Sequence, residues 1–363
     1  MLNLFQISDP HFGRILSNTR ESLVSSGRNI HDFRLCEALH EFWHGDVYLL
    51  DDVSDDDQFI LLMNGDLTSK GHEDEFILAN TFLHSEHAVV HQHRAQYVGL
   101  RQPAGDGDGR DLYAAVPGNH DHGNGSWVWP FVLGHSPGTY DFFPRRPPFI
   151  GQSWCSEGLE LCIFGIDSCS MYEDGVNLAP FADGGFSERH RTEFAALVRR
   201  ELDKPLAKGC SHRTAAILCH HPWSADGPAG PLCPFCVRWL YSVAAERDIP
   251  IVMTGHTHRT LTQLHESLPG LKQSRPVREV RCPTTLQAPG KLHVNHQSPG
   301  LWWHRVGIEG DKIVWEGTLL LYAGSSFQTA GRPSQTETAS GKPVREIWYR
   351  DAVPSIGGVS VND

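Results

Sequence analysis

Aspartate, asparagine and histidine gather in five short clusters along this chain: Asp9-Pro10-His11, Gly65-Asp66, Gly118-Asn119-His120-Asp121, His220, and Gly255-His256-Thr257-His258. Carboxylate, carboxamide and imidazole donors without thiolate suit manganese, iron, zinc or nickel better than a soft-metal or cluster site. A carboxylate shared by two cations, with neutral imidazoles around each, holds them roughly 3.5 to 4 Å apart, the separation used for in-line displacement at phosphorus. Asp66, in the middle of the series, is the choice for that bridge.

Each cluster follows an apolar, partly β-branched run that reads as a strand: Leu2 to Ile7, Phe59 to Met63, Leu112 to Val116, Ala215 to Cys219, and Ile249 to Met253. Ligands in open α/β sheets bind past strand ends, so the pattern places one site there. Helical periodicity separates the strands. Phe33, Cys36, Leu39, Phe42 and Trp43 mark one face, and Phe76, Ala79, Phe82 and Leu83 a second. Phe194, Leu197, Val198 and Leu202, between an N-cap at Ser187 and a stop at Pro205, mark a third, and Val237, Leu240, Tyr241, Ala244 and Ala245 a fourth. The alternation predicts an α/β fold.

Because residues 9 to 258 must converge, one catalytic domain over 1–323 is expected, with insertions near 91–111 and 123–153 and an extended tail over 324–363. The first insertion is polar and Gly-Asp-rich, a flexible loop. The second, rich in Gly, Pro and aromatics (Trp127, Trp129, Phe131, Tyr140, Phe142, Phe143), reads either as a lid or as an irregular segment packing its own aromatics. Strand-like runs at 277–281, 301–308 and 312–321 suggest completion of a second sheet. In the tail, Ile347 and Trp348 could anchor onto the domain or onto a neighbouring subunit, which leaves a homodimer open.

Of the 363 residues 40% are hydrophobic and 20% charged, ordinary globular material, and the net charge of -12 weighs against a nucleic-acid partner held over a broad surface. Arg94, Arg101 and Arg110 are too few to be more than a local basic patch. No apolar run approaches the roughly 18 to 20 residues that span a bilayer. The N-terminal residues lack the features of a secretion signal. With nine cysteines, an odd number at irregular spacing, this suggests reduced thiols and a cytoplasmic location. Cys233 and Cys236 have zinc-type spacing, but no second pair completes four ligands. The acidic run Asp51 to Asp57 reads as a solvated loop.

The five clusters in this order resemble the signature of the calcineurin-like metallophosphoesterases: DxH, GDxx, GNH[DE], H and GHxH, over about 250 residues. The resemblance implies a four-layer αββα sandwich, two mixed β-sheets flanked by helices. It implies one metal on Asp9, His11, Asp66 and His258 and a second on Asp66, Asn119, His220 and His256, with manganese or iron first and zinc, nickel or cobalt as alternatives. His120 would act on the leaving group, and Asp121 would orient its imidazole. Of the adjacent histidines, His220 leaves the strand first and is the ligand chosen, with His221 left to a substrate or supporting contact.

Departures narrow the branch. Serine/threonine phosphatases of that superfamily carry an arginine fork where this chain has Lys70, and a glutamate where it has Asp121; a point-charge lysine cannot reproduce the fork. Purple acid phosphatases need a tyrosine where Ser69 stands. Gln6 to Phe12, Gly65 to Gly71, Phe164 to Ser168, His220-His221-Pro222 and Thr254 to Arg259 are similar to the group that includes class III cyclic-nucleotide phosphodiesterases. The expectation is a dinuclear-metal phosphodiesterase acting on a small phosphate ester. The alternatives are a phosphomonoesterase or nuclease of the same superfamily, and a non-catalytic metal-binding scaffold.

Overall fold

Along β1 (Leu2–Ile7) the side chains alternate: Leu2 and Leu4 join one buried cluster, and Phe5 and Ile7 join another on the opposite face. A strand buried on both faces must lie inside a layered structure. The computed structural model describes residues 1–13, 31–50, 53, 59–84, 88–91, 95–98, 100, 113–122, 139–143, 148–169, 183–224, 230–267, 275–287, 298–329 and 345–352. The aspartates of the acidic run, the arginines at 94, 101 and 110, and Trp127, Trp129 and Phe131 lie outside the described residues.

The first sheet has the order β14 (Phe327–Thr329), β13 (Lys312–Tyr322), β12 (Gly300–Glu309), β1, β2 (Phe59–Met63) and β5 (Tyr113–Ala115), with β15 (Arg345–Ala352) also pairing with β13. The second runs β10 (Leu261–His265), β11 (Val277–Arg281), β9 (Ile251–Thr254), β8 (His212–Leu218), β7 (Leu159–Ile166) and β6 (Phe149–Ser156). Strands β1, β2 and β5 are parallel, as are β7, β8, β9 and β11, while the outer pairings are antiparallel, so both sheets are mixed. A separate hairpin pairs β3 (Ala88–His91) with β4 (Ala95–Val98).

Helices α1 (Phe33–His44) and α2 (Glu73–His84) pack Cys36, Leu39, Phe42, Phe76 and Phe82 on the first sheet. Helices α3 (Glu188–Leu202) and α4 (Pro234–Glu246) pack Phe194, Val198, Leu240 and Tyr241 on the second. Between the sheets Leu4, Leu62, Ile163, Leu218, Met253 and Trp315 form the central core. This is the expected four-layer αββα sandwich. Asp32 caps α1 and Ser187 caps α3 by accepting backbone N–H bonds in the first turn, as Ser187 was expected to do. Among the described residues no helix is long and apolar enough to cross a membrane.

Three expectations change. The runs at 301–308 and 312–321 do not complete the second sheet: β12 lies antiparallel against β1, and β13 extends the first sheet beyond it. Alternation identifies a strand but not its neighbour. The 123–153 insertion ends earlier, because β6 opens at Phe149 and pairs with β7, a strand absent from the sequence reading. Their two-residue turn is Glu157-Gly158, with φ of 48° and 83°, a primed-type turn whose first position usually carries Asn, Asp or Gly. Part of the 91–111 segment is the strand β4, and the 324–363 segment contributes β14 and β15 to the first sheet. Within the second insertion, Phe142 stacks on Phe76 of α2 with ring centroids 4.7 Å apart.

A buried polar chain ties the two sheets together. Trp315 Nε1–H donates to His304 Nδ1 (3.2 Å), so the other ring nitrogen, Nε2–H, donates to Gln6 Oε1 (3.1 Å). Burial holds His304 far below the ordinary imidazole range, at about 3, which keeps that tautomer neutral. Gln6 Nε2 donates to Asn64 Oδ1 (2.8 Å), and Asn64 Nδ2 donates to the carbonyls of Cys219 (3.0 Å) and Met253 (2.8 Å), at the ends of β8 and β9. Since the indole can only donate, it sets the direction of every bond in the chain. Asn64→Ala leaves the Cys219 carbonyl without its side-chain donor and takes one bond each from the Met253 carbonyl, which keeps the Cys219 N–H, and from the Gln6 amide, which keeps the Thr254 carbonyl. It should destabilise the fold by about 2–4 kcal/mol in urea unfolding at equilibrium; a loss below about 0.5 kcal/mol would show that the tie is dispensable.

Candidate metal centre

The clusters all leave the carboxyl ends of parallel strands: Asp9 and His11 after β1, Asp66 after β2, Asn119 after β5, His220 after β8, His256 and His258 after β9. Five of the seven stand at positive φ: Asp9 51°, His11 51°, Asp66 53°, His256 69° and His258 58°. Non-glycine residues seldom adopt this region, and they hold it where surrounding structure over-determines it, typically at functional sites. Glycines allow the loops to close. Gly65 itself has φ 90°, and a Cβ on Gly118 would lie 2.1 Å from Asp66 Oδ1.

The centre forms around two buried carboxylates. Asp66 Oδ2 lies 3.7 Å from His11 Nε2 and 3.4 Å from His220 Nε2, one imidazole from each side. Its other oxygen accepts the His120 N–H at 2.9 Å. On one side Asp9 Oδ1 faces His258 Nε2 (3.3 Å) and His11 Nε2 (3.9 Å), and those two nitrogens face each other at 3.2 Å. On the other side His220 Nε2 lies 3.1 Å from Asn119 Oδ1 and 3.1 Å from His256 Nδ1. Asp9 Oδ1 is buried without a hydrogen-bond partner. Its Oδ2 accepts from the His256 N–H (3.0 Å) and from Ser8 Oγ, so this carboxylate is aimed by the backbone that follows β9. The donor set, the facing imidazole nitrogens and the unpartnered oxygen fit bound cations: overlapping groups of His and Asp, namely Asp9 with His11 and His258, Asp9 with Asp66 and His220, and His11 with Asp66 and His120, could each hold a metal ion.

Electrostatics agree. Burial opposes ionisation of Asp66, but His220 and His120 hold it well below the usual carboxylate range. Burial also opposes ionisation of Asp9, and His258 more than compensates. Burial pushes His11 and His256 well down, each helped by neighbouring imidazoles, so both are neutral and ready to donate lone pairs. Burial would lower His220 too, but the Asp66 carboxylate outweighs it and lifts the ring to about 9. His220 Nδ1–H donates to the Asn64 carbonyl at 2.6 Å, which turns Nε2 toward Asp66.

The structure brings all seven expected ligand residues and His120 together. His120 Nδ1–H donates to the Ser69 carbonyl (2.7 Å), and its ring meets the His11 ring edge-on, with centroids 4.5 Å apart. Asp121, expected to orient that imidazole, is shown gathering the N–H groups of Leu67 (3.2 Å), Thr68 (2.9 Å) and Gly118 (2.9 Å) and the Thr68 hydroxyl (2.9 Å). It fixes the loop carrying Asp66 against the loop carrying Asn119. Burial and the Asp66 charge raise it to about 6. His221 bonds Ser168 Oγ through Nδ1 (2.7 Å) and packs on His256, ring centroids 4.4 Å apart.

Several supporting residues had no individual role in the sequence reading. Asn64 precedes Gly65 directly, and Thr284 Oγ1 donates to the Asp9 carbonyl at 2.9 Å from 275 residues away. His122 Nε2 bonds Asp167 Oδ2 (2.9 Å), and Asp167 follows β7. Adjacency to a motif was the available signal for Asn64 and His122; Thr284 had none.

No family model matches the chain, and no curated protein matches it. Among solved structures it is similar to GAP50, the anchor in the inner membrane complex of Plasmodium (11% identity over 87% of this chain and 84% of that one, TM-score 0.46). It is similar also to the calcineurin-like phosphoesterase YfkN from Bacillus subtilis (12% identity, 91% and 88% covered, TM-score 0.36). A third is a predicted phosphoesterase from Streptococcus pneumoniae (12% identity, 90% and 95% covered, TM-score 0.29). All three superpose loosely.

A cation can take His220 Nε2 only after that nitrogen loses its proton. With the folded value near 9 and the ordinary value 6.5, the imidazolium–carboxylate pair stabilises the metal-free fold fully below about pH 6.5, and this contribution disappears as pH rises through about 9. Manganese loading at pH 7 should release about one proton, and apparent affinity should rise about tenfold per pH unit up to about pH 9. Calorimetry in buffers of different ionisation enthalpy reads the proton directly; a heat independent of buffer would contradict the assignment.

Proposed function

We propose that this protein is a metal-dependent phosphoric ester hydrolase of the metallophosphoesterase type, holding two divalent cations, with a phosphodiester as its preferred substrate class. The observation that carries the proposal is Asp66 Oδ2 standing between His11 and His220, with one group of donors on each side. Asp9, His11, Asp66 and His258 would hold one ion; Asp66, Asn119, His220 and His256 the other. Manganese or iron suits the nitrogen and oxygen donors. Bound cations supply Lewis acidity and a water whose pKa falls from 15.7 toward about 7.

The chain's own residues do the rest. Asp9 and Asp66 carry the negative charge that concentrates cations in the pocket, and the neutral rings of His11 and His256 add donors without adding charge. With cations bound, the net positive charge at that one point would attract a phosphate inside an acidic protein. His120, aimed by the Ser69 carbonyl and beside His11, is the group assigned to the leaving oxygen, with Nδ1–H spoken for and Nε2 left to hold or pass a proton. The Asp121 carboxylate positions Asp66 and Asn119 relative to each other.

Asp66→Ala should lose metal loading and turnover together. His120→Ala should retain metal and slow esters with poor leaving groups by about 10²–10⁴, while activated aryl esters lose far less. Metal content by elemental analysis, alongside turnover of nitrophenyl and alkyl diesters and monoesters, reads all of these. A fully metal-loaded protein inert toward every ester in that panel would support a non-catalytic scaffold instead. Equal losses on both ester classes in His120→Ala would remove the leaving-group role.

A further inference from the structure

Cys233-Pro234-Phe235-Cys236 lies outside the centre just described. The two cysteines, expected as reduced thiols, are joined by a disulfide with Cα atoms 5.1 Å apart. They occupy the start of α4: Cys233 is the N-cap, Pro234 is in the first turn, and Cys236 one residue short of a full turn further on. Exposure is graded across the pair. Cys233 is partly exposed, Phe235 is 58% exposed, and Cys236 is 1% exposed.

Each sulfur also has its own backbone donor. The Cys236 N–H points at Cys233 Sγ (3.2 Å), and the Phe186 N–H points at Cys236 Sγ (3.4 Å). A disulfide sulfur gains little from such donors, whereas a thiolate is stabilised by them and by the positive end of a helix. The other seven cysteines are free thiols: Cys36, Cys162, Cys169, Cys219 and Cys282 are buried, and Cys155 and Cys210 are partly exposed. Burial pushes the Cys36, Cys169 and Cys282 thiols well up and lifts Cys162 to about 12, which keeps them unreactive.

We propose that Cys233 and Cys236 are a redox-active dithiol–disulfide pair that exchanges with a dithiol reductant, Cys233 being the sulfur attacked. A thiolate of the reductant attacks Cys233 Sγ, the Cys233–Cys236 bond breaks, and Cys236 departs as a thiolate held by the Phe186 N–H before taking a proton. The reductant's second thiolate then attacks the mixed disulfide, and Cys233 departs as a thiolate held by the Cys236 N–H. Two electrons and two protons pass to the pair, and the reductant leaves as a disulfide.

The turn that the pair closes is bonded to the metal-centre loops. Cys233 N–H donates to the Gly184 carbonyl (2.9 Å), and Leu232 N–H donates to the Pro222 carbonyl (2.8 Å), next to His221. Gly184 lies so close to His221 that a Cβ there would be 2.4 Å from the imidazole Cγ. Reduction would therefore loosen a brace behind His220 and His221. That consequence rests on the function proposed above; the exchange itself does not.

The folded, full-length protein is equilibrated in graded mixtures of reduced and oxidised dithiothreitol, quenched with N-ethylmaleimide, and read by peptide mass. Two adducts should appear together on the 233–236 peptide as the ratio shifts, reversibly and with the circular dichroism unchanged. A pair that stays joined until the protein unfolds, that never forms the disulfide under oxidised reagent, or that retains bound zinc when reduced would overturn the proposal. As a second reading, Cys236→Ser should leave Cys233 reacting with an aromatic disulfide at least about tenfold faster than Cys236 reacts in Cys233→Ser; equal rates would also overturn it. No substrate enters either measurement, so an inactive enzyme and an inert disulfide are separate outcomes.

Discussion

Two carboxylates buried within one hydrogen-bonded shell dominate this molecule. Asp9 is 0% exposed and Asp66 1%, both ionised, and neither has an arginine or lysine beside it in the described structure. Buried charge of one sign demands compensation, since its desolvation cost is several kcal/mol per ion. Imidazoles supply part of it. His220 is driven toward its cationic form by Asp66, while His11 is held neutral by burial and by His120, and His256 by burial and by His221 and His220. Two neutral rings and one cationic ring around paired carboxylates make a poor salt bridge and a set of donors suited to a cation.

Holding that shell costs backbone strain and needs rigid neighbours. Five candidate ligand residues stand at positive φ, and the lack of a side chain on Gly65 and Gly118 lets the Asp66 and Asn119 loops come into contact. Asp121 then locks those loops with four accepted hydrogen bonds. The two sheets contribute different ligands, so their relative position must also be set. Asn64 and Gln6 do this by bonding across the interface to the ends of β8 and β9, with Trp315 and His304 fixing the orientation of both amides. The same Asn64 offers its carbonyl to His220 and so selects the nitrogen that faces the carboxylates. One residue thus contributes both to the placement of the two sheets and to the orientation of the His220 ring.

Much of the layout was legible because its signals are local. Leu2–Ile7, Phe59–Met63 and Val277–Arg281 alternate or run apolar over the length of a strand, and their observed bounds coincide with the reading. Ser187 announces α3 through a hydroxyl that reaches only three residues. The β6–β7 hairpin went unread because Glu157 takes a turn conformation that its side chain does not advertise, and β12 was misplaced because pairing partners 300 residues apart leave no mark on either segment.

By itself the sequence determined the candidate ligand types, their order, and the strands they follow, since donor chemistry and hydrophobic period are properties of single residues and their near neighbours. Tertiary structure decided which oxygen of Asp66 lies between the two histidine groups, that Asp121 gathers N–H groups from the Asp66 and Asn119 loops, that β12 and β13 belong to the first sheet, and that Cys233 and Cys236 meet as a disulfide. Those outcomes depend on distances of a few ångströms between segments far apart in the chain. Only the packing of two sheets and four helices can set them.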